Sequence, residues 1–212
     1  MTEEKAIKMH LSYSPPKDGR QIYSSFAAAL RDAREATGRD VDTGDKKPGR
    51  SHGNWLGAIG YMILLDQIGS CFKRKGREEV RRNRIYRALS YFTNLNDKEK
   101  SALYALRCAF AHDFALYNVH PKGNADLTHV FKLVVGNSHS LVTLPSNPWN
   151  EDFRNKPAGT ETIINLEKLG DEVEKICQTI FNLAYTNELE VVLGDGSDEL
   201  ISMYWIYKTG NP

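Results

Sequence analysis

Residues 54–72 carry apolar side chains on nearly every side of a helical repeat: Trp55, Leu56, Ile59, Met62, Ile63, Leu64, Leu65 and Ile68. A helix of this kind has to be covered all round, which places it at the centre of a helical bundle. Gly57, Gly60 and Gly69 would let neighbouring helices approach its backbone closely. The run also holds Asp66 and Gln67 among its glycines and serines, which makes it too polar for a convincing membrane span.

The remaining periodicity supplies the covering helices. Residues 21–36 read as a helix with Ile22, Phe26, Ala29, Leu30 and Ala33 inward and Arg31, Asp32, Arg34 and Glu35 outward, ended by Gly38. A further helix is expected from about Glu79 to Phe92. From Ser101 to Tyr117 the residues Leu103, Leu106, Phe110, Phe114 and Tyr117 form a stripe at spacings of three and four, with Asn96 or Asp97 as the cap. The last long helix repeats Leu166, Leu169, Val173, Ile176, Ile180 and Leu183. Before it the pattern changes. Residues 129–135 and 140–144 are β-rich runs separated by Gly136-Asn137-Ser138-His139, a hairpin signature, and 160–165 can add a third strand. The expected fold is therefore mainly α: one domain over 1–212, an antiparallel helical bundle with a small β insertion at 127–165. Residues 38–53 form a polar, glycine-rich loop read as mobile, and the period of the apolar tail at 198–208 is ambiguous.

Composition narrows the functional classes. With 41% hydrophobic and 26% charged residues the chain is that of an ordinary soluble protein. Cys71, Cys108 and Cys177 stand far apart without a CxxC pair, which argues against a disulfide framework or structural zinc and fits a reducing cytoplasm. The first ten residues lack the apolar core of a signal peptide. The net charge of +1 conceals an asymmetry. Lys73, Arg74, Lys75, Arg77, Arg81, Arg82, Arg84 and Arg87 against Glu78 and Glu79 give eight minus two, or +6, within fifteen residues, which leaves −5 elsewhere. Such a concentration is either a solvated helix end or the footprint of a polyanionic partner such as RNA.

The chemistry-bearing candidates lie in the helix around residue 107. Arg107 and His112 flank a surface built from Tyr104, Cys108, Ala111 and Ala115, three of which are small, so the strip between them is shallow. A guanidinium can hold a phosphate and an imidazole can move a proton, the two abilities that metal-independent cleavage of an RNA backbone requires. The bland alternative is a surface arginine and a core or capping histidine. Asp66 lies in an otherwise apolar helix and must pair, protonate or reach solvent. Arg107 is its natural partner, which would make Asp66 an orienting residue rather than a base.

Other motifs carry less. Residues 44–51 approach the phosphate-loop pattern with Arg50 in place of lysine, but they follow a helix and a polar turn rather than a buried strand. His10, His52, His120, His129 and His139 lack ligand spacing and read as surface or turn residues. No carboxylate cluster suggests a metal site, and no cofactor is expected.

With these residues in place, the chain resembles the HEPN superfamily, helical-bundle proteins many of which are ribonucleases. The resemblance rests on Arg107-x4-His112 late in a bundle helix, on the glycine-rich apolar helix at 54–72 and on the closing helix after 166; the β insertion is an addition. Cys108 stands where active members usually carry Asn, His or Asp directly after the arginine. The resemblance implies Arg107 and His112 as catalytic residues, with Asp66, Tyr104, Cys108 and Asp113 around them. It also implies a composite site between two copies of the chain, RNA as substrate and 2′,3′-cyclic phosphate products. Toxin or defence roles, with an antitoxin or nucleotidyltransferase partner, occur in the family. Its other branch consists of catalytically silent modules that bind RNA or protein.

Overall fold

The computed structural model describes residues 2–12, 21–112, 114–120 and 124–208, with the side chains of 21–23, 112, 125 and 206–208 excepted. The central helix is α3, Trp55–Cys71. Tyr61, Met62, Leu64, Leu65 and Ile68 on it are fully or almost fully buried. Around it pack α2 (Ser25–Ala36), α4 (Arg84–Phe92), α5 (Asp97–His112) and α6 (Leu166–Tyr185). Helix α1 (Glu3–Leu11) and helix α7 (Gly196–Tyr204) pack against each other at one end. The glycines of α3 act as expected: a methyl group on Gly60 would press on Ala33, and one on Gly69 would overlap the Arg84 carbonyl.

Asparagine starts most of these helices, because its side-chain oxygen satisfies amide groups that have no partner within the first turn. Asn54 accepts from Gly57, Asn83 from Tyr86, and Asn165 from Glu167 and Lys168. Asn96 and Glu99 bond reciprocally at the start of α5, each accepting from the other's backbone N–H.

Several boundaries differ from the sequence expectation. Residues 21–24 are a strand, β1, paired antiparallel with β8 (Trp205–Lys208), so α2 starts at Ser25 with Ser24 as its cap. Strand β2 (Phe72–Arg74) leaves α3 and pairs with β7 (Leu189–Val191), and α4 begins only at Arg84. Helix α5 ends at His112 rather than near 117. Beyond it Phe114 takes a left-handed φ of 51°, and the Ala115 N–H reaches back to the Ala109 carbonyl. Tyr117 instead enters β3 (Tyr117–Asn118).

The β insertion is a mixed sheet in the order β3-β4-β6-β5, with β4 at His129–Val134, β5 at Val142–Thr143 and β6 at Glu161–Asn165. The two expected hairpin strands do not pair. Strand β6 lies between them, parallel to β4 and antiparallel to β5. The turn that was to join them is held by the start of α6 instead. Asn165 donates to the carbonyls of Gly136 and His139, and Glu167 accepts from the Gly136 N–H at 3.0 Å.

Candidate functional site

Arg107 and Asp66 meet. Arg107 Nε donates to Asp66 Oδ2 at 2.7 Å, joining the middle of α5 to the last third of α3. The carboxylate is one-fifth exposed and the guanidinium one-third exposed. This is the pairing expected of a carboxylate in an apolar helix. Its form matters more than its existence. The guanidinium is gripped by its Nε edge, and among the described residues its two terminal nitrogens have no partner. They form a fork whose orientation is fixed from behind.

Tyr104 lies about one turn before Arg107 on α5 and Cys108 directly after it, both half-buried. Burial first, then the Cys108 thiol beside it, raises the Tyr104 phenol above its ordinary value; the Arg107 guanidinium opposes the rise. His112 is the last residue of α5, with its backbone in the helix and its side chain outside the described residues; Asp113 lies wholly outside them.

Exposed apolar residues stand one turn from each member of the pair: Ile63, before Asp66 on α3, is 52% exposed, and Ala111, after Arg107 on α5, is exposed. Leu56, 70% exposed, lies near the other end of α3. Phe114, placed inward by periodicity, is 60% exposed because the helix stops before reaching it. Its ring stacks on Trp55 at 5.3 Å and 22°, and Trp55 stacks also on the buried Phe110 at 4.7 Å.

The basic segment is not one helix face. It runs through β2, a loop and the start of α4, and its members divide. Lys73 faces Glu190 at 3.4 Å across the β2–β7 pair, and Lys75 donates to Asn187 Oδ1 at 2.7 Å. Arg82 lies over the Tyr86 ring. Arg77, Arg81 and Arg84 are exposed, whereas Arg74 and Arg87 are half-buried. The backbone of Arg84 rests against Gly69, about one turn past Asp66. The basic segment therefore begins beside the Arg107 end of α3.

A second polar centre went unread in the sequence. Arg34, expected to face solvent, forms a two-pronged pair with Glu174 of α6 at 2.8–3.2 Å, and Tyr61 donates to the same carboxylate. Arg39 is buried and donates to Asp171 at 2.6 Å and to the Gly44 carbonyl. Lys46 bridges Glu167 and Asp171. The 38–53 loop is thus fastened to α6 along much of its length, beside a cleft of about 1130 Å³. The spacing of Glu167, Asp171 and Glu174 on one side of α6 was the available signal, since three acids at three- and four-residue intervals call for cations opposite. The phosphate-loop-like residues 44–51 belong to this fastening, with Lys46 engaged by carboxylates.

Two histidines also depart from expectation. His10 is fully buried among the rings of Phe26, Phe72 and Tyr204, with neither ring nitrogen bonded among the described residues. Burial drives its pKa down to about 3. His129 is buried in β4, bonded to Thr162 and the Asp126 carbonyl, and burial lowers its pKa as well. Among the described residues no group of three or more His, Cys, Asp or Glu is placed to hold a metal ion, and no helix is long and apolar enough to cross a membrane. Compared with family models, curated proteins and solved structures, the chain finds no match.

Proposed function

We propose that this chain is a metal-independent endoribonuclease of HEPN type, acting as a homodimer with Arg107 and His112 at a shared site. The posture of Arg107 carries the reading. A two-pronged pair, such as Arg34 makes with Glu174 through Nε and one terminal nitrogen, commits part of the outer guanidinium to the carboxylate. Arg107 uses Nε alone and keeps the fork available for a second, planar anion. A phosphodiester fits that geometry, and the charge that develops on its oxygens in cleavage is what a fixed guanidinium stabilises.

In the reaction the ribose 2′-OH loses its proton, O2′ attacks phosphorus, and the P–O5′ bond breaks. The departing 5′-oxygen takes up a proton, leaving a 2′,3′-cyclic phosphate and a 5′-hydroxyl. His112 serves one of these two proton transfers, and the second copy of the helix completes the site. The exposed Ile63, one turn before Asp66 on α3, supplies an apolar contact for that second copy.

The same surface also suits a silent binding module, in which Asp66 and Arg107 are structural and a partner covers the apolar residues. Incubating purified protein with total RNA, with and without EDTA, separates the two. Cleavage that survives EDTA, yields cyclic phosphate ends and disappears in Arg107→Ala and His112→Ala supports the nuclease. Intact RNA at all protein concentrations, with stable binding to a protein partner, supports the module.

A further inference from the structure

We propose that Phe114 is a stacking platform for one unpaired nucleobase, placed at the end of the helix that carries Arg107 and His112; the proposal rests on the ribonuclease reading and adds to it a base-binding subsite. Phe114 stands at the position after a helix where the chain turns left-handed, φ 51°, a place that glycine fills without strain and a large side chain seldom occupies. The strain brings little burial in return, since 60% of the residue stays in solvent. What it does achieve is orientation. The ring is laid on Trp55 at 5.3 Å with 22° between planes, and Trp55 is itself stacked on buried Phe110. Three aromatic rings thus form a connected group anchored in the core, and the exposed member can accept one more flat ring. Strained, exposed and rigidly backed residues of this kind gather at binding sites.

The surroundings select a nucleobase as that ring. Trp55 and Asp66 are eleven residues apart on α3, about 16 Å along its axis. Phe114 is therefore level with one end of that helix, Arg107 is level with Asp66, and the basic segment begins beyond it. A single strand following the seam between α3 and α5 would meet the arginines at one end, the phosphate fork of Arg107 in the middle and the Phe114 ring at the other. Stacking is indifferent to base identity, because every base has a π-face, so this subsite favours unpaired over paired RNA rather than one sequence over another.

The test uses the full chain and a short RNA oligomer methylated at every 2′-oxygen so that it cannot be cleaved. Binding is measured for wild type, Phe114→Leu and Phe114→Tyr, each checked for an unchanged melting temperature, and again with an abasic backbone of the same length. Leucine keeps an apolar side chain without a flat face, and tyrosine keeps the face. The expected result is roughly tenfold weaker binding for Phe114→Leu and near-wild-type binding for Phe114→Tyr. On the abasic backbone the three proteins should bind alike. Equal affinity of wild type and Phe114→Leu for the base-bearing oligomer overturns the subsite while leaving the nuclease intact. No binding by wild type overturns both. A weaker dimer in Phe114→Leu, with RNA affinity per dimer unchanged, makes the ring a protein contact and overturns the subsite.

Discussion

The arginine–carboxylate pairs Arg34–Glu174 and Arg107–Asp66 each join two helices of the bundle, and they are built in opposite ways. At the α2–α6 junction Arg34 and Glu174 are nearly buried and share three hydrogen bonds, and the rest of the guanidinium goes to the carbonyls of Val41 and Asp42. Each nitrogen of that guanidinium has an acceptor within the fold. At the α3–α5 junction Arg107 and Asp66 share one bond through Nε, and the outer half of the guanidinium is open. The first arrangement fixes a loop and the second fixes a side chain. Saturation marks a structural pair, and a pair left open on one side is where chemistry can enter.

Removing each acid should therefore damage different properties. Glu174→Ala leaves a buried guanidinium and the Tyr61 hydroxyl without their acceptor, at a cost of about 3–5 kcal/mol, which in a chain of this size lowers the melting temperature by roughly 10 °C. Joint replacement of Arg34 by Met and Glu174 by Leu should recover most of the loss. A single variant that melts like wild type would remove the structural half of the comparison. Asp66→Ala should cost less stability, about 1–3 kcal/mol, since the pair is partly solvated. Its larger effect falls on function: with the fork no longer oriented, kcat/KM for RNA cleavage should drop about 100-fold, partly restored in Asp66→Asn. If Asp66→Ala lost stability as Glu174→Ala does and kept its activity, the roles of the two centres would be reversed.

The open pair was legible in the sequence and the saturated one was not, for a physical reason. Asp66 interrupts an apolar helix, so its need for a partner is written into its neighbours, and Arg107 is the cation at the edge of a facing stripe. Arg34 sits in a polar stretch of α2 among Arg31, Asp32 and Glu35, where nothing separates a buried charge from a solvated one. Helix positions were legible because their period is local. Strand pairing was less so: β4 and β5 have a turn sequence between them, but the pull of Asn165 and Glu167 on that turn comes from a segment further along the chain. The end of α5 was misplaced because Phe114 and Tyr117 continue its apolar period after the backbone has already turned.

His10 shows a third way to bury a polar group, with neither saturation nor an opening. Its folded pKa, about 3, lies below the ordinary 6.5, because the low-dielectric cage disfavours the cation. The neutral form is thus the folded form. Its contribution is fully present above pH 6.5 and is lost as pH falls from 6.5 toward 3. One unit into that window, at pH 5.5, the loss is about 1.4 kcal/mol relative to pH 7.5. Urea midpoints across this range should fall in wild type and fall less steeply in His10→Leu, the remaining slope including buried His129, whose pKa burial also lowers. An equal fall in both proteins would place the acid sensitivity on other groups.

The smallest effect concerns the basic segment, and it applies the same distinction to surface charges. Lys73 and Lys75 are engaged, with Glu190 and Asn187, whereas Arg81 and Arg84 extend into solvent and Arg82 rests on an aromatic ring. Only unengaged cations can exchange their counterions for RNA phosphates. Each such contact contributes about 0.7 to the slope of log affinity against log salt for single strands. Reversing Arg81, Arg82 and Arg84 to glutamate should flatten that slope by about 2, and a single reversal by about 0.7. Lys73→Gln should leave it unchanged, because the charge it removes was already answered within the protein. Equal effects from Lys73→Gln and a single reversal at Arg81 would mean that RNA displaces the Glu190 contact, and engagement within the fold would then no longer separate structural from binding charges.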